Sequence, residues 1–126
     1  MNDSTTDAAL MTQAVIDSIP DVIFFKDLDG VYRRGNQAFG ELVGRPVDTL
    51  LGKTDFELFP KIVATSFREQ DLAMLRSRQS QRNDEWLDYP DGRRVLVETL
   101  KAPVFAHDGT LIGLVGVCRD ITQRAG

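Results

Sequence analysis

The sequence predicts a mixed α+β domain: a five-stranded antiparallel sheet with helices over one face and a further helix flanking it at the N-terminus. Three observations point there. Two β-rich blocks, near residues 22–34 and 80–119, lie either side of a helical middle. The blocks are punctuated by Asp29-Gly30, Asp91-Gly92 and Asp108-Gly109, a residue pair that suits tight turns because glycine tolerates positive φ. The length of 126 residues, with 42% hydrophobic and 27% charged side chains, suits one core and not two.

Taken in order, the first six residues read as a tail, and Ser4-Thr5-Thr6-Asp7 offers capping side chains for a helix over 7–18. Ala8, Met11, Val15 and Ile19 form a stripe that the domain's own sheet would cover, while Leu10 and Ala14 lie on a second side, free for a partner. Pro20 stops this helix. Val22-Ile23-Phe24-Phe25-Lys26 and residues 31–34 form a hairpin closed by Asp27-Leu28-Asp29-Gly30. Asn36 caps a short helix over 37–43 that ends at Gly44. One helical turn follows at 46–51, then a loop with a short helix begun at Thr54 or Asp55, then a longer helix over 61–78. Strands at 80–89, 93–104 and 110–119 complete the chain, the last apolar on both sides and so covered on both faces. Residues 1–19 are thus a tail and flanking helix, 20–124 the core domain, and 125–126 the start of a linker.

The two β blocks join by becoming neighbours in one sheet, and the helices between them close over one face. That geometry encloses a small cavity. Its expected lining is Phe39, Phe56, Phe67 and Met74 from the helices, with Trp86 and Thr99 from the strands. Gln70 lies on the same helix face as Val63, Phe67 and Met74, and a buried amide costs about 1–3 kcal/mol unless a hydrogen-bond partner is supplied. Backbone, water or a ligand would serve, and a simply filled core remains the alternative to a binding site.

Charge narrows the partners. The formal net charge is −4 and the arginines are dispersed, which disfavours nucleic acid and anionic membrane. No run is apolar enough to span a bilayer, and the polar, acidic N-terminus does not resemble a signal peptide, so a cytoplasmic location is expected. Cys118 is the sole cysteine and His107 the sole histidine. A cysteine-based zinc site and an internal disulfide are therefore excluded, and no metal site is expected. No Gly-rich phosphate loop and no Ser/His/Asp set is present, so the domain is not expected to be an enzyme.

The element order and several local motifs resemble the PAS family. Asp27-Leu28-Asp29-Gly30 followed by Asn36-Gln37-Ala38-Phe39 is similar to its first hairpin and the helix after it. Gly52-Lys53-Thr54-Asp55-Phe56-Glu57-Leu58-Phe59-Pro60 resembles the central segment of one PAS subgroup. Asp91-Gly92, Pro103 and Asp108-Gly109 resemble the closing hairpins, and Arg119-Asp120-Ile121-Thr122 the Asp-x-Thr ending. The resemblance covers residues 8–124. It implies a sensory or dimerisation module, cut from a longer polypeptide, upstream of an output domain such as a histidine kinase or diguanylate cyclase; the second apolar side of the first helix, at Leu10 and Ala14, makes a homodimer the expected working unit.

It also implies that Asp120 and Thr122 pass the signal on, beside their local role in capping the last strand. Haem-binding members carry a histidine on the long helix, and residues 61–78 have none. The flavin-photoreceptor branch carries a reactive cysteine in an Asn-Cys-Arg-type motif in its middle helices, which is absent, so Cys118 reads as a small core residue. A resident cofactor is not expected, and any ligand would be small and noncovalent. The rival expectation is a ligand-free scaffold that pairs through Leu10 and Ala14 and aligns an output domain.

Overall fold

The computed structural model describes residues 3–122; the linker expected at 125–126 lies outside the described residues. The elements are α1 (Asp3–Asp17), β1 (Val22–Asp27), β2 (Tyr32–Gly35), α2 (Gln37–Val43), a 3-10 turn (Val47–Thr49), α3 (Asp55–Leu58), α4 (Lys61–Ser77), β3 (Gln81–Asp88), β4 (Arg94–Phe105) and β5 (Leu111–Asp120). The strands form one five-stranded sheet in the order β2-β1-β5-β4-β3. Every pairing is antiparallel, and the two sequence blocks meet where β1 lies against β5. Among the described residues no helix is long and apolar enough to cross a membrane.

Local chemistry explains the corners. Asp27 Oδ1 accepts from the backbone N–H of Asp29 and of Val31, and Gly30 takes φ 81°, so the first hairpin turns without strain. Burial opposes ionisation of the Asp27 carboxyl, but Arg33 and those two N–H groups outweigh it and hold the pKa below the ordinary value. Asn36 is fully buried. Its Oδ1 accepts from Phe39 N, capping α2, and from Ile23 N in β1, while Nδ2 donates to the carbonyls of Ile16, Ile19 and Asp21. One side chain thus joins the end of α1, the start of β1 and the start of α2. At α3, Glu57 Oε1 accepts from Thr54 N, the return bond of a capping box.

Alternation along β1 sends Val22, Phe24 and Lys26 to the helix-covered face. Phe24, Tyr32 and Phe39 pack there with ring centroids 4.9–5.6 Å apart. A Cβ on Gly116 would stand 2.2 Å from the Phe24 ring, so a side chain at this β5 position would displace that ring. Leu50, Met74, Leu75, Val97 and Leu114 complete the core.

Three expectations need correction. The first helix begins at Asp3, so Ser4 to Asp7 lie within it instead of capping it. Its apolar stripe does not pack on the sheet: Met11 is 68% exposed and Val15 55%, alongside Leu10 at 65%. Polar bonds from its C-terminal end hold α1 instead, with Gln13 Nε2 donating to Gly35 O and Asp17 Oδ1 accepting from Gln37 N. The outer face of β5 therefore lacks the expected cover: Ile112 is exposed and Val115 and Val117 are half-buried.

Candidate functional site

Four charged side chains converge between the sheet and the helices. Lys26 Nζ lies 2.6 Å from Asp55 Oδ2 and 2.7 Å from Asp71 Oδ2. Asp71 Oδ1 lies 2.9 Å from Lys101 Nζ. Tyr32 Oη donates to the remaining oxygen of Asp55 at 2.5 Å. Lys26, Asp55 and Asp71 are buried, and Lys101 is nearly so. Five elements are clamped by this chain of bonds: β1 through Lys26, β2 through Tyr32, α3 through Asp55, α4 through Asp71 and β4 through Lys101. Desolvating such charges is costly, so each survives only because its partners are in place. Burial, together with the charge and hydrogen bond of Asp55, raises the Tyr32 phenol well above its ordinary pKa.

The network forms one end of a cavity of about 530 Å³. Aromatic and apolar groups line most of it, including Phe24, Tyr32, Phe39, Phe59, Val63 and Phe67. Phe59 and Phe67 meet edge to face at 5.6 Å, and the Lys101 ammonium sits 5.6 Å from the Phe67 ring centroid. The inner face of the sheet adds a second polar group. Glu85 on β3 enters the lining, and its Oε1 accepts from Thr99 Oγ1 on β4 at 2.8 Å. Thr99 Oγ1 also lies 3.6 Å from Cys118 Sγ, a thiol whose pKa burial pushes up. A mostly apolar volume with a few placed polar groups suits a small organic ligand. Among the described residues no group of three or more His, Cys, Asp or Glu side chains is placed to hold a metal ion. The space between Asp55 and Asp71 is filled by the Lys26 ammonium.

Of the residues expected to line the cavity, Phe39, Phe67 and Thr99 do so. Met74 is fully buried in the core but off the cavity wall. Phe56 is a correction: it is half exposed and turned away from the lining. Gln70 is another. It is exposed and its amide donates to Ser66 Oγ, so no buried amide calls for a ligand. Trp86 contributes at the rim, yet it pairs with Leu96 on the outer face of the sheet, and its ring stacks under Arg94 with the guanidinium 5.1 Å from the centroid. The sequence reading missed Lys26, Asp55, Asp71, Lys101 and Glu85. At the other end of the sheet, Asp120 Oδ1 accepts from Thr122 N, and Thr122 Oγ1 accepts from Leu96 N on β4. Those bonds from Thr122 hold the Asp120 carboxyl below its ordinary pKa.

This sheet, with its helices arched over one face to enclose a cavity, defines a small sensory-type α+β module. A family model of the PAS fold matches residues 16–126, and the chain belongs to that family.

The comparisons extend to named proteins. The chain is 31% identical over 112 residues to the aerobic respiration control sensor protein ArcB of Escherichia coli, covering 89% of this chain and 14% of that protein. The chain therefore spans about one seventh of the length of that relative. The PAS domain of Bordetella pertussis BvgS superposes with a TM-score of 0.78 at 28% identity, covering 94% of this chain and 90% of that one. Vibrio cholerae VqmA superposes with a TM-score of 0.81 at 29% identity, over 92% of this chain and 52% of that one. The structure of VqmA bound to DPO matches with the same TM-score and identity, over 92% of this chain and 59% of that one. The chain is thus a PAS domain similar to one that occurs within a much longer sensor protein.

Proposed function

We propose that this PAS domain is a sensory input module whose cavity binds a small molecule noncovalently and reports its occupancy to an output domain of the same polypeptide, such as a histidine kinase or diguanylate cyclase. One observation carries the reading: the cavity of about 530 Å³ ends on Lys101, and Lys101 is tied through Asp71 to Lys26 on β1. A ligand that engages this ammonium competes with Asp71 for it. Occupancy is then felt both on α4, which carries Asp71, and on β1. Asp120 and Thr122, bonded to β4 at Leu96, pass the change to the segment that follows. The similarity to VqmA, a protein solved bound to DPO, supports a cavity of this kind as a ligand site. On this reading the domain works in the cytoplasm as a homodimer paired through Leu10 and Ala14 of α1, without nucleic acid or membrane as its own partner.

The test is a thermal-shift screen of metabolites on the 126-residue chain, repeated on Val63→Trp, which fills the cavity without touching the ion pairs. A true cavity ligand raises the melting temperature of the parent and fails to raise that of the variant. Equal shifts in both proteins would place binding elsewhere. The second reading, a ligand-free pairing scaffold, is favoured by the exposed apolar positions of α1. It requires that the dimer persist in Val63→Trp with signalling intact.

A further inference from the structure

The three hairpin turns of the sheet are built alike. In each, a glycine in the left-handed region donates its N–H to the carbonyl three residues earlier: Gly30 to Asp27, Gly92 to Tyr89 and Gly109 to Ala106, at φ of 81°, 92° and 90°. The residue bearing that carbonyl donates its own N–H to the residue after the glycine, which is Val31, Arg93 or Thr110. Each turn places an exposed aspartate immediately before the glycine: Asp29, Asp91 and Asp108. An Asp-Gly pair is where a chain can attack itself, because glycine has no Cβ to shield its nitrogen from the neighbouring carboxyl.

The three carboxyls are held differently. Asp91 Oδ1 accepts from Arg93 N and its Oδ2 from Arg93 Nε. Asp108 Oδ1 accepts from Thr110 N. These are Asx bonds to the backbone two residues on. The bonds from Arg93 and from Thr110 also hold both carboxyls below their ordinary pKa, so the protonated, reactive form is scarcer. At the first turn the equivalent N–H is already taken, since Asp27 Oδ1 accepts from Val31 N as well as from Asp29 N. Among the described residues the Asp29 carboxyl therefore has no Asx partner and accepts no other hydrogen bond.

We propose that Asp29 is a modification site, where the backbone rearranges spontaneously to an isoaspartyl linkage ahead of the other two Asp-Gly turns. The Gly30 nitrogen attacks Cγ of the protonated Asp29 carboxyl. The N–Cγ bond forms, the Cγ–OH bond breaks, and the hydroxyl leaves with the proton of the nitrogen as water. Water then opens the resulting succinimide at the main-chain carbonyl, breaking its bond to nitrogen. The chain now runs through Cγ and the α-carboxylate is free. One water is lost and one gained, and nothing is oxidised or reduced. The product lengthens the turn by one methylene where Arg68 of α4 rests on it: Nη2 donates to Leu28 O at 3.2 Å, and Nη1 stands 2.8 Å from where a Cβ on Gly30 would lie. The change thus reaches the helix that carries Asp71.

The test ages the 126-residue chain for several weeks in mildly acidic buffer at body temperature, against an unaged control. Trypsin puts the three turns on separate peptides, residues 27–33, 83–93 and 102–119. Isoaspartate is then counted by methylation with an isoaspartyl carboxyl methyltransferase and placed by fragmentation mass spectrometry. It is expected at Asp29 about fivefold faster than at Asp91 or Asp108, the effect of one hydrogen bond. In denaturing urea the three rates are expected to converge, because the difference is made by the fold. Asp27→Ala releases Val31 N to Asp29 and is expected to slow Asp29 to the rate of the other two. Asp91 or Asp108 reacting as fast as Asp29 in the folded chain would overturn the proposal. An excess at Asp29 that persists in urea, or that Asp27→Ala leaves undiminished, would refute the structural cause.

Discussion

The inner and outer faces of this sheet each carry exceptions to the usual assignment of polarity. Inside lie Lys26, Asp55, Asp71 and Thr99, all buried. Outside, Trp86 and Ile112 are exposed, as are Leu10, Met11 and Val15 on the adjoining α1. Hydrophobic burial favours the opposite arrangement. Each exception therefore points to a task other than holding the fold. A paired charge network inside fixes a defined arrangement and gives a ligand something to compete for, at a desolvation cost that apolar residues would avoid. Apolar groups left outside invite a second surface.

The contrast is broken most severely from within. Asp71→Leu leaves the nearly buried Lys101 without its carboxylate and Lys26 with only Asp55. It is expected to lower the unfolding free energy by about 3–5 kcal/mol in urea titration. A loss under about 1 kcal/mol would show that the network is not held together as its geometry implies. Gly116→Val acts on the same face by crowding the Phe24 ring, and is expected to cost about 1–3 kcal/mol by the same measurement.

Tyr32 sharpens the comparison through pH. Its phenol is raised above the ordinary value of 10.0, first by burial and then by Asp55. The folded state therefore holds this proton more tightly than the unfolded chain does. The stabilisation is complete below pH 10.0 and is lost as the pH rises from there towards the raised folded value. Tyr32→Phe removes one bond to a charged acceptor, worth about 1.5–3 kcal/mol at neutral pH. Its stability curve is expected to be flatter on the alkaline side than that of the parent. Parallel curves above pH 10.0 would deny Tyr32 this role.

The outer side should give the smallest change in folding and the largest in association. Leu10→Glu alters an exposed side chain and is expected to shift stability by no more than about 0.5 kcal/mol. Sedimentation is expected to show the variant moved from dimer towards monomer. An unchanged dimer fraction would exclude this helix as the pairing surface.

Turns, caps and β-patterning made the architecture legible in the sequence. Asp27 to Gly30, Asn36 and Gly44 mark element ends by local chemistry that tertiary packing did not override. The site was legible only in part. Phe67 was found because apolar periodicity on α4 points inward, and Phe39 on α2 and Thr99 on β4 because the middle helices and the inner face of the sheet were expected to line the cavity. The sign of a buried polar residue on α4 was sound, but it was assigned to Gln70 when the neighbouring Asp71 occupies the buried face with Ala64, Met74 and Leu75. A helix of this kind turns about 100° per residue, so a one-residue error in phase exchanges a solvated side chain for a buried one. Lys26 carried a readable signal, since it continues the inward alternation of Val22 and Phe24. Asp55 and Lys101 carried none, because a lone charge in sequence reads as solvated until its partner from a distant element is placed beside it.

The buried amide of Asn36 has a mechanical consequence. Among the described residues, the hydrogen bonds that fix α1 to the rest of the fold lie towards and just beyond its C-terminal end, where Asn36 grips the carbonyls of Ile16, Ile19 and Asp21 while Gln13 and Asp17 brace it. The helix is a lever hung from one pivot. Its 15 residues run about 22 Å, so a rotation of about 10° at the pivot carries the far tip through about 4 Å. Because Asn36 also holds the first strand through Ile23, a displacement of that strand too small to disturb the core is amplified at the opposite end of the helix.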